Sequence, residues 1–274
     1  SNIISNGKTK SHSFNNFTVK IDAKIPLNHN AESIYYRFIV NNIFSPIGKT
    51  KTLPTSNPDK FNLAFCSCSN YPAGFFNAYR EIALDDDIDL VLHLGDYLYE
   101  YGADGYATED AKKLNRVVNP INEITSLDDY RERHALYKTD KDLQLLHSSK
   151  PMIPVWDDHE FANDTWKKGA ENHSIDGAEG DFFARRSAAI KAYHEWMPIR
   201  EQKNKRKIFR EFKVGNFIQL LMLDTRQFQR DQQIQPKNYL SSSGFNQASF
   251  YSDLNSTSRN LLGEEQLSWI KGKV

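Results

Sequence analysis

The sequence predicts an α/β fold in which the ends of a parallel sheet carry the chemistry, and two observations predict it. Three short apolar runs stop abruptly on groups able to hold a metal: Phe61-Asn62-Leu63-Ala64-Phe65 leads into Cys66-Ser67-Cys68, Leu90-Val91-Leu92-His93-Leu94 into Gly95-Asp96-Tyr97-Leu98-Tyr99-Glu100, and Pro151-Met152-Ile153-Pro154-Val155-Trp156 into Asp157-Asp158-His159-Glu160. Runs of this length bounded by turn signals read as strands buried on both faces, which place their ligand-binding groups at their carboxyl ends. Between the first two runs, Phe75, Phe76, Tyr79, Ile82 and Ala83 recur at helical spacing. Strand, helix, strand is a right-handed unit that brings both strand ends to one sheet edge, so Cys68 and Asp96 are expected to be neighbours.

Ahead of that sheet, residues 1–54 read as β. Phe17, Val19 and Ile21 alternate with polar neighbours, Tyr35 to Val40 form a second run and Gly48 to Leu53 a third, the pattern of half-buried strands. The stretch closes on Pro54-Thr55-Ser56-Asn57-Pro58-Asp59, a linker composition. The expected organisation is part of a small antiparallel β-sandwich over 1–54, followed by a larger domain over 60–274.

Past the second strand, residues 100–125 show little period and read as an excursion over the site. Ser126 followed by Asp129 marks a helix start, with Leu127, Tyr130 and His134 on one face. Leu143, Leu145 and Leu146 continue the helical region to the third strand. A helix from Asp181 runs through Phe182, Arg185, Ala189, Tyr193 and Trp196 to a stop at Pro198. Ile208, Arg210, Phe212 and Val214 then face Phe217 to Leu223 across Gly215-Asn216, a hairpin signal. Residues 231–260, rich in Ser, Asn and Gln, read as a long polar loop, and a last helix begins at Gly263-Glu264-Glu265-Gln266-Leu267.

The 274 residues suffice for one large or two ordinary domains. Lys plus Arg and Asp plus Glu both number 35, so no basic excess points to nucleic acid or a membrane surface, and a discrete small ligand fits better. No run approaches the roughly 18 apolar residues of a membrane span. Cys66 and Cys68 are the only cysteines. Two apart on an extended strand, they point the same way, which disfavours a disulfide between them.

Each ligand-type residue has two readings. Asp96 and Tyr99 can meet one cation across a tight turn, or Asp96 can cap the next segment while Tyr99 packs. Asp157-Asp158-His159-Glu160 places four ionisable groups directly after a buried strand, a costly arrangement that either a metal or a structural hydrogen-bond network compensates. Asn163 and Trp166 extend the same region. Cys68 is either a small buried hydrophobe or a thiolate ligand to a transition metal, and Cys66 reads as the former.

Together these stretches resemble the PhoD-like alkaline phosphatases and phosphodiesterases of the calcineurin-like metallophosphoesterase superfamily. The matching segments are Phe65-Cys66-Ser67-Cys68, Leu92 to Gly102, Trp156-Asp157-Asp158-His159-Glu160, Leu223-Asp224-Thr225-Arg226 and Leu262-Gly263-Glu264-Glu265-Gln266-Leu267. The resemblance implies a two-sheet core flanked by helices, preceded by an immunoglobulin-like or fibronectin-like sandwich, and a site with ferric iron (Fe3+) and calcium (Ca2+). Carried over residue by residue, it makes Cys68, Asp96, Tyr99 and Asp158 metal ligands. Cys68 stands where the superfamily usually begins with an Asp-x-His pair, Asp96 is the bridging carboxylate and Tyr99 a phenolate to iron. Asp158 holds the place of the asparagine in a Gly-Asn-His-Glu motif, and His159 matches the transition-state histidine. Family members continue past the last helix to a further strand and a Gly-Asp-x-His type motif, so a chain stopping at Val274 is expected to lack part of the site and to be a weak catalyst.

The implied activity is metal-dependent hydrolysis of phosphomonoesters or phosphodiesters by metal-activated hydroxide, on a small-molecule, lipid or nucleotide ester. Two alternatives remain open at this point: a noncatalytic calcium- or carbohydrate-binding module, and a phospholipase D-type diesterase. The resemblance further implies an extracellular or periplasmic location.

Overall fold

The computed structural model describes residues 3–26, 32–174, 177 and 179–274. Its centre is a three-stranded parallel sheet of β5 (Leu63–Cys66), β6 (Leu90–His93) and β7 (Met152–Pro154) in that order. Leu63 pairs with Leu90 and Val91 with Met152, so β6 lies in the middle with all four residues buried. A continuous apolar run occupies this position because both sheet faces are covered and no residue can turn to water. The helix expected between the first two strands is α1 (Asn77–Leu84), with Tyr79 and Ala83 buried.

The helix after β6 starts where the sequence places it, at Ser126, and the helical region expected to continue from it is divided into two helices. Ser126 and Asp129 form a reciprocal capping box on α2 (Leu127–Tyr137), and Asp140 caps α3 (Lys141–Ser149) through the amides of Asp142 and Leu143. Such caps satisfy amides that have no partner within the helix. Asp181 caps α4 (Phe182–Trp196), which packs against α2, while α3 packs against α1. Trp156, just past β7, sits edge-on to Phe161 and Tyr193 and donates from Nε1 to Asp224 at 3.0 Å. That bond satisfies the one polar atom of the largest fully buried side chain.

The predicted hairpin is β8 (Arg210–Val214) against β9 (Ile218–Met222), an antiparallel pair separate from the central sheet. Its turn needs Gly215, at φ +52°, where a side chain would collide with Asn57.

The amino-terminal region differs from expectation. No strand forms over Phe17, Val19 and Ile21: Phe17 takes a left-handed backbone at φ 57° and its ring is exposed. Polar contacts hold this segment instead, with Lys20 donating to the Ile199 carbonyl at 3.0 Å and Asp22 paired with Arg200 at 2.7 Å. The run at Tyr35 to Val40 is split. β1 (Ser33–Tyr36) pairs with β4 (Gly48–Lys51), and β2 (Ile39–Val40) pairs with β3 (Ile43–Phe44) as a separate two-stranded hairpin.

Residues 231–260 are also not a plain loop. They contain β10 (Leu240–Ser241), β11 (Gly244–Phe245) and α5 (Gln247–Leu254), capped by Asn246. No residue of α5 is buried, and its apolar residues Phe250, Tyr251 and Leu254 span little more than one turn, too short for a sustained helical period in sequence. The final helix, α6 (Gly263–Lys271), begins as expected and buries Gln266, which bonds the backbone of Asp224 in both directions.

Candidate metal centre

The ends of β5, β6 and β7 converge, as parallel strands joined by crossovers must. Cys68 and Asp96 are neighbours, with the thiol sulfur 3.4 Å from Asp96 Oδ2. The backbone locks the two turns together, since the Cys68 amide donates to the Gly95 carbonyl at 3.2 Å and the Ser69 amide to that of Asp96 at 2.8 Å. Gly95 is required because a side chain there would come within 2.5 Å of Asp157. Cys68, Asp96 and Asp164 all take left-handed backbone conformations, at φ 59°, 53° and 50°. Each costs on the order of 1–3 kcal/mol and concentrates where geometry serves function.

Asp96, Asp158 and His159 each offer a ligand atom, and these atoms lie within 4.8 Å of one another. Donors at about 2.0–2.6 Å from a shared cation have about this mutual spacing. Burial raises the Asp96 carboxyl above its usual range, the charge of Asp157 adding to the effect. Burial likewise pushes Asp158 up to about 7, against the pull of Arg226. Two acids held apart from water and forced toward neutrality form a donor set that a cation would relieve, so the residues present fit a metal.

Tyr99 lies beside this group, its ring stacked on His159 with centroids 4.1 Å apart. Its hydroxyl lies close enough to the Cys68 thiol for each to influence the other's proton. Burial raises both Tyr99 and Cys68 above their ordinary values, so each holds its proton without a cation nearby. Both cysteines are free thiols, and Cys66 is pushed up to about 12 by burial. Of the sequence-predicted residues, Asp96, Asp158 and His159 form the close group, while Cys68 adjoins it through Asp96 and Tyr99 through His159. Asn163 reaches only the surrounding shell, its amide donating to Glu100 at 2.6 Å, and Trp166 pairs its backbone with Gly169 instead.

Three supporting side chains received no role from sequence. Glu100 is fully buried and accepts a hydrogen bond from His159 Nδ1 at 2.8 Å. Burial alone would lower the His159 imidazole, but Glu100 outweighs it and raises the ring to about 9. Glu160 clamps the strand ends by accepting from the amides of Asp96 at 3.1 Å, Tyr97 at 2.7 Å and Asp157 at 2.8 Å. Arg226 forks onto Asp157 at 2.7 and 2.9 Å and lies 3.3 Å from Asp158. Their signal was present, since a carboxylate or guanidinium beside a buried strand must find a partner, but which partner depends on the turn.

Residues 63–274 match the family described as PhoD-like phosphatase. Alkaline phosphatase D of Bacillus subtilis (strain 168) is 38% identical over 243 residues, covering 86% of this chain and 39% of its own. A solved structure titled "Structure of PhoD" superposes with a TM-score of 0.73 at 38% identity, over 88% of this chain and 44% of that one. The chain thus spans less than half the length of these relatives.

Proposed function

The chain belongs to the PhoD-like phosphatase family, and from that premise we propose that it hydrolyses phosphoric monoesters or diesters with the help of bound metal. The observation that carries the proposal is the convergence of the Asp96 and Asp158 carboxylates, as metal ligands, with the His159 imidazole, as the proton-bearing group, to within 4.8 Å at the ends of β6 and β7. Asp96 and Asp158 offer hard oxygen donors suited to calcium, while Cys68 and Tyr99 offer the thiolate and phenolate that suit ferric iron. Such ions supply Lewis acidity toward a phosphoryl oxygen and activate a water-derived nucleophile at neutral pH.

The chain's own residues do the rest. Glu100 accepts a hydrogen bond from Nδ1–H of His159 and fixes the ring, which leaves Nε2 to hold a proton for the departing ester oxygen. The Tyr99 ring against His159 limits its rotation. Arg226 offsets the charge of Asp157 and Asp158 and holds both in place. Glu160 fixes the backbone on which Asp96 and Asp157 stand.

In this reading residues 60–274 belong to the catalytic unit and residues 1–54 to an accessory β unit related to a sandwich. An extracellular or periplasmic site of action fits the family. No helix among the described residues is long and apolar enough to cross a membrane. The test is hydrolysis of p-nitrophenyl phosphate and bis(p-nitrophenyl) phosphate, with and without added calcium and ferric iron. Release of p-nitrophenol that depends on metal and disappears in His159→Ala is expected, and a metal-independent rate that His159→Ala leaves intact would overturn the reading.

A further inference from the structure

A cleft of about 390 Å3 opens directly beside the metal cluster, between the turn after β5 and the loop after Tyr99. It shares two residues with the cluster: Cys68, whose sulfur lies 3.4 Å from Asp96, and Tyr99, whose ring lies 4.1 Å from that of His159. Anything bound through a phosphoryl group at Asp96, Asp158 and His159 can extend its remaining atoms into this space. None of the residues lining it carries a charged side chain.

What the cleft presents is flat aromatic surface. Phe75 and Tyr106 line it with rings that are 57% and 63% exposed, so their faces are free to take a ring from a ligand. Tyr106 lies nearly parallel to Tyr99, at 21° and 6.4 Å between centroids. The wall is also fixed in place, because Asn70 Nδ2 donates to the Tyr106 carbonyl at 3.1 Å. At Gly74 no atom lies within 4 Å of where a side chain would begin, so the cleft stays open on that side.

We propose that this cleft receives the organic group of the phosphoester and favours one that is uncharged and carries a flat ring, as a nucleoside or aryl ester does. The inference rests on the phosphoesterase reading for the phosphoryl end and adds what the ester group must be. Stacking on exposed aromatic faces tolerates many rings, since each presents a π-face. No Lys or Arg side chain lines the cleft, so an ester carrying further phosphates finds no side-chain cation on its wall.

Adenosine 5′-monophosphate and methyl riboside 5-phosphate test this, because they share the same leaving oxygen and differ only in the base. Steady-state hydrolysis and calorimetric titration are run on the wild type, Phe75→Ala, Tyr106→Ala and the double variant. Both rings are exposed, so their truncation leaves no buried cavity. The nucleotide is expected to bind about tenfold more tightly than the riboside in the wild type. That advantage should fall to about twofold or less in the double variant, through KM more than kcat. Equal affinity for the two ligands in the wild type, or an advantage that survives in the double variant, would overturn the proposal. A ring preference in the titration with neither ester hydrolysed would leave the cleft assignment standing and sink the phosphoesterase reading instead.

Discussion

Glu100 and His159 form a buried pair, carboxylate oxygen to Nδ1 at 2.8 Å, although they lie 59 positions apart in the chain. The pair fixes both the orientation and the tautomer of the imidazole, because a carboxylate can only accept and Nδ1 must then donate. Replacing Glu100 with Gln keeps the volume but allows the amide to donate, which permits the wrong tautomer. The expected outcome is a fall in kcat on the order of 100-fold with little change in KM. An unchanged kcat in Glu100→Gln would show that His159 does not act through this orientation.

Arg133 holds the excursion that follows the site. It is fully buried and donates to the carbonyls of Tyr99, Tyr101 at 2.9 Å, Pro120 at 3.0 Å, Asn119 at 3.2 Å and Asn122 at 3.4 Å. No other side chain spreads five donors over one plane. Arg133→Met should destabilise by at least about 3 kcal/mol, since several buried carbonyls lose their partner together. Arg133→Lys should recover less than half of that loss. Denaturant unfolding of the two variants measures it, and wild-type stability in Arg133→Met would contradict the assignment.

Lys138 gives a pH signature remote from the metal ligands. Its ammonium lies 3.0 Å from His147 Nε2, a nitrogen that the Tyr97 hydroxyl also approaches at 2.7 Å, and burial pulls its pKa down from 10.5 to about 7. Below pH 7 the folded and unfolded chains both hold the proton, and the cost of burying the charge is fully present. Between about 7 and 10.5 the folded chain releases the proton while the unfolded chain keeps it, so this penalty is relieved as pH rises. Lys138→Met should therefore raise Tm at pH 6 by about 2–4 °C, the shift that roughly 1 kcal/mol makes in a chain of this size. The gain should shrink toward zero by pH 10. A gain that is constant across this range would rule out the depressed lysine.

The two cysteines should differ in their response to metal removal. Cys68 is exposed and placed against Asp96 and Tyr99, whereas Cys66 is partly buried with its sulfur 3.6 Å from the Leu92 carbonyl. With metal bound, Cys68 should be protected from a thiol-alkylating reagent, and chelation should make it react at least about tenfold faster than Cys66. Iron bound through Tyr99 should also give a visible charge-transfer band that Tyr99→Phe shifts or removes. Mass spectrometry of the labelled peptides and the absorption spectrum check both statements.

The sequence disclosed the parts of this molecule in which local pattern and burial coincide. The run at β6 is apolar at Leu90, Val91 and Leu92, and the structure buries all of them. Handedness of the crossover then sufficed to bring Cys68 beside Asp96. Phe17 misled for the opposite reason: its alternation with Val19 and Ile21 suggested a strand, yet the left-handed backbone at Phe17 and the contacts of Lys20 and Asp22 place the segment without one. The helix α5 was not legible because its apolar residues Phe250, Tyr251 and Leu254 span little more than one turn within a stretch rich in Ser, Asn and Gln. At the site, the residues on strand ends were legible, but the roles of Glu100, Glu160 and Arg226 were not. Glu160 follows His159 directly and nevertheless turns inward to three backbone amides, a choice that only the assembled turns determine.

If Asp96, Asp158 and the residues around them form a metal-dependent phosphoesterase centre, Asp96→Asn should disable it. Asn keeps the size of the side chain but removes the charge that would join the ions, while the backbone clamp by Glu160 is untouched. The measurement is metal content per chain together with the rate of bis(p-nitrophenyl) phosphate hydrolysis, in wild type and variant loaded with calcium and ferric iron. Bound metal and turnover are expected in the wild type, and in Asp96→Asn a loss of at least about tenfold in both, with the fold retained. Wild-type metal content and wild-type turnover in Asp96→Asn would contradict that assignment.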